Sequence, residues 1–176
     1  MTALYLMVGL PGAGKTTRAR ELAPARRALL LSLDEWNIPL LGEPGAGGKQ
    51  DVLEGRLISL ALAALRLGTS VILDFGFWSR DERSSLRWLA AAAGASCQVV
   101  YVPVDRGTQL ARIAHRAERT PEQTYPMSEA DVDRWRAQFQ PPEAAELGGG
   151  AIPAPPPGCA GWPEWAVARW PSLDVG

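Results

Sequence analysis

Four apolar runs alternate with amphipathic segments along the chain. The runs cover Ala3–Val8, Ala28–Leu33, Ser70–Leu73 and Cys97–Val104, and few polar residues interrupt them. Strands that are buried on both faces of a sheet have this nearly continuous apolar character. Strands that alternate with helices at this spacing predict an α/β fold of three layers, in which helices flank both faces of a parallel sheet.

The amphipathic segments predict five helices: Lys15–Leu22, Val52–Leu67, Arg80–Ala93, Arg106–Ala117 and Glu129–Phe139. Several of their boundaries carry capping signals, because Ser or Asp side chains accept hydrogen bonds from the first turn and Gly favours the backbone at helix ends. These signals are Ser79 with Glu82, Ser128 with Asp131, Asp105, Gly68 and Gly94.

The last 36 residues differ from the rest of the chain. They contain eight of the fifteen prolines, which prevents a long helix, and three of the seven tryptophans. A disordered tail would expose the large apolar surfaces of these tryptophans to water. We therefore expect a main domain over residues 1–146 and an irregular tail over residues 147–176 that packs on it, with a short strand near Trp165–Arg169.

The segment Gly9-Leu10-Pro11-Gly12-Ala13-Gly14-Lys15-Thr16 fits the phosphate-loop pattern at every fixed position. Its glycines allow backbone N–H groups to point at phosphate oxygens, Lys15 reaches the outer phosphates, and the Thr16 hydroxyl holds Mg²⁺. An apolar strand precedes the loop and a helix follows it, as the motif requires. We expect ATP and Mg²⁺ here, with the nucleotide bound by Gly9, Gly12, Ala13, Gly14, Lys15, Thr16 and Thr17.

Lysine usage supports this interpretation. The chain contains sixteen arginines and only two lysines, Lys15 and Lys49. A compact ammonium suits a phosphate cradle better than a planar guanidinium does. Lys49 lies in a second glycine-rich stretch, Gly42–Gln50, which departs from the motif at Glu43 and Gln50. We expect a flexible surface loop there.

Two carboxylates stand at predicted strand ends, where open parallel sheets bind their ligands. Asp34 follows the second strand and Asp74 the third. One would orient the attacking hydroxyl or accept its proton, and the other would hold Mg²⁺. Their structural alternatives are a helix cap and a turn. Trp36 and Trp78, just beyond the two acids, would line an acceptor pocket or pack in the core.

Arginines supply candidate positive charge for the transferring phosphoryl group. Arg112 and Arg116 share one helix face, and Arg119 begins a loop that would close over the nucleotide. Arg80 and Arg83 follow Asp74 closely enough to contact a substrate. The alternative for each of these arginines is a solvated surface position.

Charge and composition narrow the function classes. The net charge of −1 argues against a binding surface for long nucleic acid, although it does not exclude one. No apolar run reaches the length of a membrane span, and the apolar N-terminus is a strand and not a signal peptide, so we expect a cytoplasmic protein. Cys97 and Cys159 lack metal-site or redox spacing. The guanine-reading motif of GTPases is also missing, because the single asparagine, Asn37, precedes Ile38.

Over Leu4 to Glu146 the chain resembles the small P-loop kinases related to polynucleotide kinase, zeta toxin and chloramphenicol phosphotransferase, often called AAA-type predicted kinases. The segments that carry the resemblance are Gly9–Thr17, Leu33-Asp34-Glu35, Leu73–Trp78, Arg112–Arg116 and Phe139–Pro142 with Glu146. The resemblance implies a nucleoside-kinase-like P-loop NTPase fold. It also implies that Asp34 is the general base and that Arg112 and Arg116 bind phosphate.

The sequence thus predicts a kinase that moves the γ-phosphate of ATP to a hydroxyl of a small molecule. Lys15, Asp34 and Arg116 are its candidate catalytic residues, and Thr16 and Asp74 its candidate Mg²⁺ ligands. Arg112, Arg116 and Arg119 are expected to contact the nucleotide. Two alternatives remain at this point: a kinase for the 5′-hydroxyl of nucleic acid, and a non-catalytic ATP-binding module.

Overall fold

The computed structural model describes residues 1–42, 48–120 and 126–175. Within these ranges, four parallel strands form one sheet in the order β2-β3-β1-β4. The strands are β1 (Ala3–Val8), β2 (Ala28–Ser32), β3 (Ser70–Gly76) and β4 (Ser96–Tyr101). The predicted parallel sheet is therefore confirmed, and its order places β3 and β1, which carry Asp74 and the glycine loop, side by side.

Helices connect and follow the strands. They are α1 (Lys15–Arg26), α2 (Leu33–Leu41), α3 (Lys49–Arg66), α4 (Arg80–Ala92), α5 (Arg106–Arg119), α6 (Glu129–Gln138), α7 (Ala144–Leu147) and α8 (Trp162–Arg169). The five predicted helices are present. Helix α3 begins at Lys49, so Lys49 and Gln50 are helical and not part of a loop as we expected. Residues 43–47 of that predicted loop lie outside the described residues.

Two further boundaries differ from prediction. Strand β3 continues to Gly76, so Asp74 lies within the strand and not after it. The expected strand at Trp165–Arg169 is wrong, because this segment belongs to helix α8. Pro163 is compatible with a helix because it falls in the first turn, where no intrahelical N–H bond is lost. Trp162, Ala166 and Trp170, four residues apart, then bury one side of the helix.

The capping signals behave as predicted. Ser79 and Ser128 each form a capping box, with Glu82 and Asp131 respectively. The Asp105 side chain accepts a hydrogen bond of 2.9 Å from the Thr108 backbone N–H at the start of α5. Because only three residues separate the end of β3 from the start of α4, the cap fixes the helix close to the carboxyl edge of the sheet.

Side chains of β1 alternate between two cores, as a strand buried on both faces requires. Leu4, Leu6 and Val8 belong to the larger core with residues of α3 and α4. Tyr5 and Met7 belong to the smaller core with residues of α1. The sheet thus forms the middle of three layers, which confirms the predicted α/β architecture.

Residues of the proline-rich tail reach the larger core. The Trp170 side chain is fully buried there, and its indole Nε1 donates to the Glu54 carboxylate at 2.8 Å. Helix α3 has a glycine, Gly55, where the tail crosses it: a Cβ at this position would lie 2.5 Å from the Ser172 hydroxyl. The tail therefore packs so closely against α3 that a side chain at position 55 would collide with it.

Candidate functional site

The glycine loop joins β1 to α1 at the carboxyl edge of the sheet. Gly12 and Gly14 have φ values of 80° and 97°, a left-handed backbone that glycine adopts without strain. Gly14 is the N-cap of α1, and no side chain in the described part of the chain caps that helix start. The N–H groups of the first turn are therefore available to an anion, and the helix dipole favours negative charge at the same point. The loop fits the triphosphate of a nucleotide.

Lys15, the first residue of α1, turns back into the loop. Its Nζ donates to the Leu10 carbonyl oxygen at 3.0 Å. Desolvation lowers the pKa of Lys15, the nearby Asp74 and Asp34 carboxylates oppose that shift, and Arg116 adds to it. The ammonium thus lies in a site whose surroundings already include two carboxylates and a second cation.

Thr16 and Asp74 form the candidate metal site. The Asp74 Oδ2 accepts hydrogen bonds from the Thr16 hydroxyl at 2.6 Å and from the Ser32 hydroxyl at 3.2 Å. Ser32 pairs with Asp74 in the register of β2 and β3. The other carboxylate oxygen, Asp74 Oδ1, is buried without a hydrogen-bond partner among the described residues.

This set of oxygen atoms fits Mg²⁺, which typically takes one or two protein ligands and completes its shell with phosphate and water. Among the described residues there is no group of three or more His, Cys, Asp or Glu side chains that would suit a metal held by protein alone. Thr16 and Asp74 are thus suited to a metal that arrives with a nucleotide.

Asp34 follows β2 directly and lies in the first turn of α2. Its side chain is exposed to a cleft whose surroundings desolvate the carboxyl. This desolvation raises the pKa of Asp34, the Asp74 carboxylate raises it further, and the positive charges of Lys15 and Arg116 oppose the shift. A carboxylate with a raised pKa holds a proton more readily, which suits a general base.

These side chains meet in one cleft of about 580 Å³. Its lining includes the loop residues Lys15 and Thr16, the carboxylates Asp34 and Asp74, and Arg116 from α5. Trp78 also lines the cleft, with its ring 6.2 Å from that of Trp135. Trp36, the other tryptophan that we considered for an acceptor pocket, is exposed and is not part of the lining.

The predicted arginines separate into different environments. Arg112 braces the loop from α5, since its Nη1 donates to the carbonyl oxygens of Gly12 at 3.2 Å and Ala13 at 2.9 Å. Arg119 ends α5 on the exposed surface and does not line the cleft. Residues 121–125 of its loop lie outside the described residues.

Arg83 is a structural residue and not the substrate contact that we considered. Its guanidinium is 1% exposed and pairs with Glu146, with Nε and Oε1 2.5 Å apart. The Nη1 atom donates to the Phe77 carbonyl at 3.1 Å, where Phe77 has a left-handed φ of 39°. Arg83 therefore holds the turn that carries Trp78. Arg80 is exposed, and its guanidinium lies 3.7 Å from the Glu143 carboxylate.

Sequence reasoning missed Gln109, a fully buried residue of α5. Its Nε2 donates to the Pro11 carbonyl at 2.9 Å, and its Oε1 accepts from Arg136 at 2.9 Å. Gln109 lies three residues before Arg112, so both side chains are on the helix face toward the loop. This spacing is the feature of the sequence that could have identified Gln109.

It also missed a group of polar residues that line the same cleft, which we call the polar wall. The wall is formed by Asn37, Gln50, Glu54, Glu82 and Arg169. Asn37 is one helical turn from Asp34, which gave a local signal. Arg169 belongs to the tail, and nothing in the sequence relates it to residues more than eighty positions earlier.

Solved structures with the same fold include a protein assigned as a kinase from Chloroflexus aurantiacus j-10-fl. It is 24% identical, with 90% of this chain and 84% of that chain covered and a TM-score of 0.63. A sugar kinase from Janibacter sp. HTCC2649 is 19% identical, with 99% and 97% covered and a TM-score of 0.60. A chain of the Pnkp1/Rnl/Hen1 RNA repair complex is 18% identical, with 78% of this chain but only 43% of that chain covered and a TM-score of 0.63.

No curated protein matches the chain, and none of the described helices has both the length and the apolar character for crossing a membrane. Residues 4–142 match a family described as AAA domain. The solved structures show that the chain shares its fold with proteins that are assigned as kinases. Since the match spans most of the sequence and confirms the resemblance found in its motifs, the chain belongs to the AAA domain family.

Proposed function

We propose that the protein is an ATP- and Mg²⁺-dependent phosphotransferase that moves the γ-phosphate of ATP to a hydroxyl of a small molecule. The observation that carries this proposal is the convergence of Lys15, the Thr16–Asp74 pair and Asp34 on one cleft. A phosphate cradle, a metal site and a base beside them are the parts that phosphoryl transfer to a hydroxyl needs.

The loop and the cations would bind and stabilise the phosphates. The uncapped N-terminus of α1 and the Lys15 ammonium would hold the triphosphate, and Arg116 would brace the phosphoryl group from the facing helix. Arg112 would act through the loop carbonyls that it contacts. We propose Arg119 as a further nucleotide contact, which needs a movement of the end of α5.

Thr16 and Asp74 would hold Mg²⁺ through their side-chain oxygens. The metal supplies charge neutralisation of the phosphates when it is bound. This assignment leaves Asp34 as the base, because the Asp74 carboxylate is committed to Thr16 and Ser32. Asp34 is exposed to the cleft and has the raised pKa that favours proton acceptance.

The reaction then follows from these positions. The acceptor hydroxyl oxygen forms a bond to the γ-phosphorus, the bond from that phosphorus to the bridging oxygen breaks, and ADP leaves. The hydroxyl proton goes to the Asp34 carboxylate. Lys15 and Arg116 compensate the negative charge on the transferring group while the bonds change.

A kinase for nucleic-acid 5′-hydroxyls is the alternative that the fold likeness to the RNA repair complex raises. Two features favour a small molecule. The net charge of the chain is −1, and the cleft beyond the phosphate site contains the carboxylates of Glu54, Glu82 and Asp131. A polyanionic strand gains no counterion release from such a surface.

The test is ATP consumption with hydroxylated metabolites, nucleosides, antibiotics and a 5′-hydroxyl oligonucleotide, each with Mg²⁺ and with the metal chelated. We expect Mg²⁺-dependent consumption that one class of small acceptor stimulates. Lys15→Ala should abolish it, whereas Lys49→Ala, which changes the only other lysine at an exposed site outside the cleft, should not. Stimulation by the oligonucleotide alone would overturn the small-molecule assignment, and ATP binding without consumption under any condition would favour a binding module.

A further inference from the structure

We propose that the polar wall is the acceptor subsite and that it selects a polyhydroxylated molecule without phosphate or carboxylate groups. This inference rests on the proposed kinase function and specifies its substrate class. It also assigns part of the subsite to the tail, since Arg169 lies beyond residue 142, where the family match ends.

Within the described part of the chain, Asn37 presents an unsatisfied acceptor to the cleft. Its side chain is 2% exposed, lines the cleft and donates from Nδ2 to the Gln50 Oε1 at 3.5 Å. Its Oδ1 is buried and has no hydrogen-bond partner among the described residues. A buried acceptor without a donor is costly, and a hydroxyl group that enters the cleft would satisfy it. Asn37 and Asp34 lie three residues apart on α2, so that hydroxyl would be one helical turn from the base.

The wall continues as a row of oxygen acceptors. The Gln50 Nε2 donates to Glu54 Oε1 at 3.1 Å, and Glu54 Oε2 accepts from the Trp170 indole at 2.8 Å. Carboxylate oxygens have more lone pairs than these contacts use. Several acceptor atoms in one row match a molecule that presents several hydroxyl donors.

The charges of the wall argue against an anionic acceptor. Arg169 is the only cation that the described residues place in the polar wall, and three carboxylates already surround it. Its guanidinium nitrogens lie 2.7 Å from Asp51, 2.9 Å from Glu82 and 3.6 Å from Glu54. A phosphate or carboxylate on the acceptor would meet these like charges without a free cation to pair with. The other cations that line the cleft among the described residues, Lys15 and Arg116, belong to the phosphate site instead.

Aromatic rings complete the subsite. Trp78 and Trp135 line the same cleft with their ring centroids 6.2 Å apart. Small-molecule sites combine such apolar surfaces with a few polar groups that fix orientation. The apolar C–H faces of a cyclic polyol suit the rings, while its hydroxyls suit the wall.

The tail is held in place by contacts outside the cleft, which provides a matched control. Arg66 of α3 donates from Nη2 to the Val175 carbonyl at 2.9 Å, and neither residue lines the cleft. A variant of Arg66 loosens the tail without changing the wall. A variant of Arg169 changes a wall residue and also affects the tail. Comparison of the two variants therefore distinguishes the loss of an acceptor contact from the loosening of the tail.

The experiment is calorimetric titration of the protein, loaded with a non-hydrolysable ATP analogue, with uncharged hexoses, hexitols and inositols. Hexose phosphates and aldonates serve as anionic counterparts. We expect at least one uncharged polyol to bind, and we expect Asn37→Leu, Gln50→Ala and Arg169→Ala each to weaken it about tenfold or more. Arg66→Ala should bind the polyol as the unaltered protein does, and the affinity for the ATP analogue should stay the same in all variants. Circular dichroism would show that each variant is folded.

The inference is overturned if no uncharged polyol binds, if the anionic counterparts bind as tightly, or if Arg66→Ala weakens binding as much as Arg169→Ala. The proposed function fails in a different way. Consumption of ATP that only anionic acceptors stimulate would leave the kinase standing and remove this inference, whereas polyol binding without phosphoryl transfer would remove the kinase.

Discussion

The Asp34 carboxyl and the Lys15 ammonium share one corner of the cleft, and both pKa values depart from their ordinary positions. Desolvation raises the pKa of Asp34 above its usual 3.8 and lowers that of Lys15 below its usual 10.5. The proposed chemistry needs Asp34 unprotonated and Lys15 protonated. The shift of Asp34 therefore raises the lower pH limit of the active form, and the shift of Lys15 lowers its upper pH limit.

We expect acceptor-dependent turnover to fall at low pH as Asp34 gains a proton, at a pH above the usual aspartate range. It should also fall at high pH as Lys15 loses its proton, at a pH below the usual lysine range. A profile of kcat/KM against pH measures both limbs. Asp34→Asn should remove most of the activity together with the acidic limb, and an unchanged acidic limb in this variant would contradict the assignment.

Much of the phosphate site was predictable from the sequence because its signals are local. The loop motif and Asp34 follow apolar strands, Asp74 lies near the end of another, and the structure brings them into one cleft. Arg83 was not predictable in the same way. Its position after Asp74 left a substrate contact and a solvated surface site open, and only the folded chain shows that Glu146, sixty-three residues later, pairs with it.

At the scale of elements, the Arg83–Glu146 pair joins α4 to α7 and supports the turn at Phe77. Both side chains are buried, at 1% and 7% exposure. Removing one partner leaves an uncompensated charge in the interior. We expect Arg83→Met to lower the free energy of unfolding by about 3–5 kcal/mol.

Denaturant unfolding would measure this loss. Arg80→Met, at an exposed pair on the same helix, should change stability by about 0.5 kcal/mol or less. The double variant Arg83→Met with Glu146→Leu should recover part of the loss, because it removes both charges. A small effect of Arg83→Met alone would contradict the structural role of the pair.

Helices whose capping residues and apolar periodicity agree were predicted from the sequence. Helices α2 and α8, where the local signals conflict, were not. Helices α4, α5 and α6 begin at Ser or Asp caps and were predicted. Helix α2 was missed because it is short, follows β2 without a break and contains Pro39. Helix α8 was taken for a strand because tryptophan and valine favour strands, while the burial of Trp162, Ala166 and Trp170 decides for a helix.

At the scale of the whole molecule, we propose that the tail and the main domain fold as one unit. The Trp170 side chain is fully buried, and it lies in the larger core with strand and helix residues. The strand order and this long-range packing could not be read from the sequence, because no local pattern records which segments meet.

We expect Trp170→Ala to lower the free energy of unfolding by about 3–5 kcal/mol, as truncation of a large core side chain does. The transition should remain single when it is followed by circular dichroism and by tryptophan fluorescence. Trp36→Ala, at a site that is 42% exposed, should have a much smaller effect. An unchanged stability, or two separate transitions, would contradict a single folding unit.

The most direct test of the central claim separates ATP binding from phosphoryl transfer at Asp34. The measurement is mass-spectrometric detection of the phosphorylated acceptor, with ATP affinity determined in parallel. Glu35→Gln is the matched control, since Glu35 is the adjacent carboxylate and pairs with Arg20 on the exposed surface. We predict that Asp34→Asn binds ATP as the unaltered protein does but forms phosphoester at least about a hundredfold more slowly, while Glu35→Gln forms it at the normal rate. Undiminished product formation by Asp34→Asn would contradict the account.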